Sequence, residues 1–323
     1  MTGDSPNVVV LRRGTHGIST TEYADALRRR LPDDVVVARA ATPSEERTLV
    51  PSARVVTGID IDDALLARAT NLSVFACVAA GYDHLPLEDL VADGVAVTNA
   101  SGVHGPNVSE HVLGVILQFA REFRRFWRQE ERHEWRRGQS TELYGSTVTV
   151  FGLGAIGTAV VDRLEPFGVD TIGVRYTPEK GGSTEEVVGF EDDEGVDDAL
   201  ARSDYVVLAC PLTDATRGIV DAAALSTMEP HAVLVNVGRG PLVDTDALVS
   251  ALQRNAIGGA AVDVTDPEPL PPDHPLWDLE NAFVTPHASG HTPAYYERVA
   301  DIVAATWDAV EADEPDRLHY RVR

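Results

Sequence analysis

A chain of 323 residues, 44% of them hydrophobic, can bury a large core and is long enough to divide into two domains. Its 51 acidic residues against 27 basic ones leave a formal net charge of -24, a field that repels nucleic acid and anionic membranes and argues against either as a partner. No run approaches the roughly 20 apolar residues that span a bilayer.

The amino terminus, MetThrGlyAspSerProAsn, carries no basic stretch followed by an apolar one, so no signal peptide is expected. Cys77 and Cys210 lie far apart in apolar runs and read as buried thiols, which fits a cytoplasmic location. Lys180 is the single lysine; every other basic residue is arginine. Acid spread along the whole chain with lysine almost absent resembles proteins of salt-loving cells. Concentrated salt screens such self-repulsion, because the Debye length falls to ~3 Å at about 1 M. A halophilic protein, active and stable in molar salt, is the expectation.

Taken in order, Val8–Leu11 reads as a first strand and Thr21–Leu31 as a helix with an arginine-rich outer face. Val35–Ala38 and Val55–Thr57 are short strands, Asp62–Ala69 a helix, and Leu72–Ala79 a buried strand ending in Ala80-Gly81-Tyr82-Asp83. Val95–Thr98 is another strand. This alternation predicts a small parallel-sheet domain. Ser101-Gly102-Val103-His104-Gly105-Pro106 then breaks the pattern as a hinge would. Asn107, with Glu110 three residues on, has the spacing of a capping box. Val108, Val112, Val115 or Ile116, and Phe119 mark one face of a long helix. It is expected to continue over Arg121–Arg137, with Phe126, Trp127 and Trp135 turned to a partner subunit or packed within the chain. His104 and His111 have no carboxylate or cysteine at metal spacing, so no metal is expected.

The chain is organised around Ser146–Tyr176. Val148–Phe151 is rich in β-branched residues and reads as a buried strand. It runs into Gly152-Leu153-Gly154-Ala155-Ile156-Gly157, then a helix with Ala159, Val160, Leu164 and Phe167 on one face, then a strand Val169–Val174. That is a βαβ unit with the glycine-rich first turn of a dinucleotide site. Gly152 permits the tight turn, Gly154 lets the backbone approach a pyrophosphate, and Gly157 lets helix and strand pack closely. Phosphates sit at such a helix N-terminus, beside Ala155 and Ile156. Where an NAD site usually has an acidic residue, this chain has Arg175, then Tyr176 and Thr177. A cation cannot accept from ribose hydroxyls but can pair with a 2′-phosphate. The expected cofactor is therefore NADPH/NADP, with NADH/NAD also usable.

Glu191–Asp198 is a carboxylate run that reads as a solvated loop or helix start. Tyr205–Cys210 is a strand ending at Pro211, Ala232–Val237 and Gly259–Val262 are further strands, Pro267–Pro275 is a proline-rich loop, and Phe283–Thr285 is the last strand. From Pro293 a helix is expected to return to the first domain, and residues from about Asp313 to fray.

Ligands of an open parallel sheet bind at the carboxyl ends of its strands. Arg239 follows one strand end, Asp263 ends the next with Glu268 five residues on, and His287 follows the last. An arginine can clamp a carboxylate and polarise a carbonyl. A histidine can protonate oxygen as hydride arrives at carbon. A carboxylate beside it favours the charged imidazole and fixes its orientation.

Over nearly its full length the chain resembles the D-isomer-specific 2-hydroxyacid dehydrogenase family. The segments that carry the likeness are Ala80-Gly81-Tyr82-Asp83, Gly152–Gly157, Pro211-Leu212-Thr213, Val237-Gly238-Arg239-Gly240, Asp263–Glu268 and Thr285-Pro286-His287. The resemblance implies two Rossmann-like domains with parallel sheets and a cleft between them that closes over the ligands. Residues 1–100 with 292–323 would form the substrate domain and 101–291 the dinucleotide-binding domain. It implies that Arg239 binds the substrate, that His287 is the acid/base and that Glu268 partners it. Asp263 would lie near the nicotinamide amide, the backbone of Ala79, Ala80 and Gly81 would hold the substrate carboxylate, and Cys210, Pro211, Thr216 and Val237 would line the cofactor, with Val108 nearby. A homodimer is implied as well.

Departures are Arg175, the Val237-Gly238 pair, and the lack of a long C-terminal extension, which implies no serine-feedback domain. The expected reaction is reduction of a 2-keto acid to a D-2-hydroxy acid. The alternatives are a nucleotide-sensing corepressor-like protein of the same fold and a glycine-rich methyltransferase, against which Arg175 argues. Within the family the resemblance also leaves formate or phosphoglycerate oxidation open; glutamate rather than glutamine beside the histidine argues against formate.

Overall fold

The computed structural model describes residues 5–322 apart from 16, 83, 315, 316, 319 and 320. Asp83 and the first four residues thus lie outside the described residues. The chain divides into two compact units, Met1–Val103 with His291–Arg323, and His104–Gly290.

The first unit contains β1 (Val8–Val10), α1 (Thr20–Arg28), β2 (Val37–Arg39), α2 (Pro43–Leu49), β3 (Val55–Gly58), α3 (Asp63–Leu66), β4 (Val74–Cys77), α4 (Leu87–Ala92) and β5 (Ala96–Thr98). All pairings are parallel, in the order β2-β1-β3-β4-β5. Runs such as Val8-Val9-Val10 are apolar at every position because both faces of a parallel sheet are covered. Alternate residues go to opposite faces: Val8, Val10, Val55 and Val74 join one core cluster, Val9, Val56, Phe75 and Val97 the other. Ser19 caps α1, accepting from Thr21 N. The sequence places α1 and β2 slightly differently: the helix stops at Arg28, and the strand is shifted toward Arg39.

The second unit opens with α5 (Gly105–Ala120) and α6 (Phe123–Glu131). Here two expectations are corrected. α5 starts at Gly105 with Pro106 in its first turn, so Asn107 is no cap; its side-chain amide donates to Ser289 O at 2.8 Å. The long helix does not run on to Arg137, because Glu122 takes a left-handed conformation (φ 54°) and α6 ends at Glu131.

β6 (Thr147–Phe151), α7 (Ala155–Leu164), β7 (Asp170–Arg175), β8 (Glu186–Gly189), α8 (Asp193–Arg202), β9 (Tyr205–Leu208), α9 (Ala222–Thr227), β10 (Val233–Asn236), α10 (Thr245–Gln253), β11 (Gly259–Val262) and β12 (Ala282–Val284) follow. The sheet is parallel throughout, in the order β12-β11-β10-β9-β6-β7-β8. Chain order reverses at β6, so the crevice beyond its carboxyl end lies between outward-running connections. The acidic run 191–198 is a helix start: Asp192 caps α8 by accepting from Gly195 N at 3.0 Å. The sequence reading passes over β8, α9 and α10. Asp221 and Asp244 cap the two helices, and a cap residue before a short apolar run is the signal that would have found them.

α11 (Tyr295–Glu311) belongs to the first unit. Its Tyr295, Val299, Val303 and Trp307 recur at helical spacing and pack with Tyr23 and Leu27 of α1.

Candidate active site

Gly152 follows β6 with φ +95°, and a Cβ on it would lie 2.7 Å from Cys210 Cα. Gly157 is tighter still, since a Cβ there would come within 1.8 Å of Gly152 O. No other residue allows this turn and this helix approach. Gly154 stands at the start of α7, and a Cβ built there meets nothing within 4 Å, leaving its backbone open to a ligand. Thr158 N donates to Gly154 O as the first intrahelical bond, so the N–H groups of Ala155, Ile156 and Gly157 precede the ladder and face the helix end.

Beside this turn is a cavity of about 610 Å³, a normal size for a cofactor site. Gly152, Gly154, Arg175, Tyr176, Thr177, Cys210, Pro211 and Thr216 all line it. Phe190 and Asp214 line it too, although the sequence did not single them out, and so does Thr213 of the Pro211-Leu212-Thr213 segment. The spacing Thr213-x-x-Thr216 was the available signal: Thr213 N donates to Thr216 Oγ1 at 2.8 Å, and that hydroxyl donates to Pro211 O at 2.7 Å. Val237 and Asp263 are buried and are not part of this lining. Burial raises the Cys210 thiol to about 11, so it lines the cavity as a neutral thiol and not as a nucleophile. Arg175 ends β7; its Nη1 donates to Gly181 O, while its buried Nε has no partner among the described residues.

Arg239, Asp263 with Glu268, and His287 follow β10, β11 and β12, three neighbouring strands. At ~4.8 Å per strand these ends span about 10 Å. Buried Asn236 sets the Arg239 turn: its Nδ2 donates to Arg239 O at 2.9 Å and its Oδ1 accepts from Gly238 N at 3.1 Å. The Arg239 side chain is exposed and spends one N–H on Gly238 O. His287 Nδ1 lies 2.6 Å from Glu268 Oε1, with both side chains about half exposed (52% and 41%). Nδ1 therefore carries a proton toward the carboxylate, and Nε2 is the nitrogen left to act on a substrate.

Asp263 is engaged within the chain. Its Oδ1 accepts from the Thr285 hydroxyl at 2.6 Å and Ala288 N at 2.8 Å, its Oδ2 from Ser289 N at 3.0 Å, and its carbonyl from His287 N at 2.8 Å. Burial alone would raise this carboxyl, but the donors of Ser289, Thr285 and Ala288 outweigh it and hold Asp263 below the usual range. The carboxylate thus anchors the loop that carries His287, whose backbone is held at φ 50°. From α5, His111 Nε2 reaches Thr285 Oγ1 at 3.4 Å, and burial lowers the His111 pKa against the opposing pull of Asp263. Ala79 and Ala80 are half-buried and Gly81 is exposed in the first unit, following β4.

Sheet order, glycine turn and open helix end define a dinucleotide-binding α/β protein with a histidine–carboxylate pair at adjacent strand ends. The family described as D-isomer specific 2-hydroxyacid dehydrogenase, NAD binding domain, matches residues 113–289. A glyoxylate reductase of Thermofilum pendens is 34% identical over 256 residues, 77% of this chain and 75% of that protein. Among solved structures, a D-isomer specific 2-hydroxyacid dehydrogenase family protein from Aeromonas salmonicida superposes with a TM-score of 0.80 at 26% identity, covering 99% of each chain. A second, from Xanthobacter autotrophicus in complex with NADPH and MES, gives 0.78 at 28% identity over 98% of each. The chain belongs to the D-isomer specific 2-hydroxyacid dehydrogenase family, and at that level it is an NAD(P)-binding oxidoreductase.

Proposed function

We propose that the protein reduces a 2-keto carboxylic acid to the D-2-hydroxy acid and prefers NADPH to NADH. The observation that carries the reading is the 2.6 Å His287–Glu268 contact at the end of the strand neighbouring Asp263. Bound in the cavity beside Gly152, the nicotinamide cofactor supplies the hydride that reaches the carbonyl carbon. Arg239 donates to the substrate and polarises its carbonyl. His287 Nε2 gives its proton to the oxygen as the C=O π bond becomes an O–H bond, and Glu268 keeps the imidazole oriented. Of the Ala79-Ala80-Gly81 backbone, the N–H groups of Ala80 and Gly81 supply donors for the substrate carboxylate, Ala79 N being engaged with Cys77 Sγ. The place of Arg175 in the cavity lining, at the end of β7, supports a 2′-phosphate at the ribose.

The test is oxidation of NADPH and NADH by a panel of short and branched 2-keto acids in molar salt. Turnover is expected, faster with NADPH; tight cofactor binding without any turnover would overturn the reading in favour of nucleotide sensing. In dilute buffer the same assay is expected to lose most of its rate, because a net charge of -24 is then poorly screened. Full activity there would remove the halophilic reading.

Free buried Cys77 and Cys210 suit the reducing cytoplasm. Phe123, Trp127 and Trp135 are exposed on and just beyond α6, Trp135 completely. We assign that face to a second copy of the chain. Sedimentation as a dimer is expected, and a monomer in molar salt would refute it.

A further inference from the structure

The loop after β4 is fastened by its carbonyls. Val78 O accepts the Tyr295 hydroxyl, Ala79 O accepts Ala100 N at 3.1 Å, and Ala80 O accepts Asn99 Nδ2 at 2.6 Å. In a trans peptide the C=O of one residue and the N–H of the next lie in one plane and point in opposite directions. Fixing the Ala79 and Ala80 carbonyls therefore aims the N–H groups of Ala80 and Gly81 the other way. Neither N–H has an acceptor among the described residues, whereas Ala79 N is already engaged with Cys77 Sγ at 3.4 Å.

The Ala79 carbonyl is held by main chain and survives any side-chain change. The Ala80 carbonyl is held by one side chain, that of Asn99, which is only 7% exposed. Without that amide, the Ala80–Gly81 peptide plane loses its anchor and can rotate. Tyr295, from the far end of the chain, fixes the Val78–Ala79 plane, two peptides upstream.

We propose that Asn99 is a positioning residue that orients the Gly81 N–H toward the substrate carboxylate, with Tyr295 supporting it two peptides upstream. This rests on the reading that the loop receives that carboxylate. The cost of losing Asn99 appears where the carboxylate is bound, not in hydride transfer. It therefore raises KM for the keto acid and leaves cofactor affinity alone.

The experiment compares wild type, Asn99→Ala, the isosteric Asn99→Asp and Tyr295→Phe in molar salt. It records kcat and KM for a 2-keto acid, inhibition by oxamate, NADPH affinity, and the Gly81 amide resonance as oxamate is added. Asn99→Ala should raise KM and the oxamate inhibition constant about tenfold, one charge-assisted hydrogen bond's worth, with NADPH affinity within about twofold. Asn99→Asp, which sets a carboxylate against the Ala80 carbonyl, should lose more, and Tyr295→Phe less. The Gly81 amide should respond to oxamate in wild type and not in the Asn99 variants.

If wild type turns over keto acid and its Gly81 amide responds, but both Asn99 variants keep their KM and that response, the positioning role is wrong while the loop reading stands. A wild-type Gly81 amide indifferent to oxamate sinks both. Should Asn99→Ala fail to fold, Asn99→Asp and Tyr295→Phe decide by the same readouts.

Discussion

His287→Ala is expected to cut turnover by about 10²- to 10⁴-fold, the range for removing a positioned general acid. The loss belongs in kcat. The cavity beside Gly152 is lined from β6, β7 and β9 and does not include His287, so NADPH affinity should hold. Glu268→Gln separates orientation from charge: its amide oxygen can still accept from Nδ1 at the 2.6 Å contact, but the negative charge is gone. A smaller loss, roughly ten- to a hundredfold, is expected. Both variants are half exposed at the affected side chains and leave no cavity, so thermal stability should change little. His287→Ala retaining most of its turnover would remove the histidine from the chemistry. An equal loss of NADPH binding would mean the substitution disturbs the loop and not the proton.

The parts of this site that the sequence revealed are those whose chemistry is local. Gly157 declares the turn because the clash that excludes other residues there involves an atom five residues away, Gly152 O. Arg239, Glu268 and His287 stand out as candidates because polar residues after buried strands have few structural excuses. What stayed hidden was support from afar. For Asp263 only the fold reveals that its carboxylate accepts from Thr285, Ala288 and Ser289. Asn107 fitted a capping box three residues before Glu110, yet its partner Ser289 is 182 residues away. Tyr295 and Val78 are separated by 217. β8 escaped because four residues, Glu186–Gly189, at the sheet edge amid acidic neighbours show no clear alternation.

Arg175→Asp should reverse the cofactor preference. In the wild type, kcat/KM with NADPH should exceed that with NADH by about ten- to a hundredfold, the value of one or two hydrogen bonds to a charged group. Arg175 already gives Nη1 to Gly181 O, which fixes the guanidinium plane at the end of β7 and makes further bonds less costly in side-chain entropy. Asp214 lines the same cavity and opposes a phosphate, so the net attraction is not set by Arg175 alone. Salt separates contact from field. At about 1 M the Debye length is ~3 Å, which abolishes the pull of Arg175 at a distance and the push of Asp214 alike, while direct hydrogen bonds persist. NADPH preference should therefore survive in molar salt in the wild type and be lost in Arg175→Asp, whose carboxylate can accept from the ribose hydroxyls of NADH. Wild-type kcat/KM values that are equal for the two cofactors, or that favour NADH, would show that the guanidinium meets no phosphate.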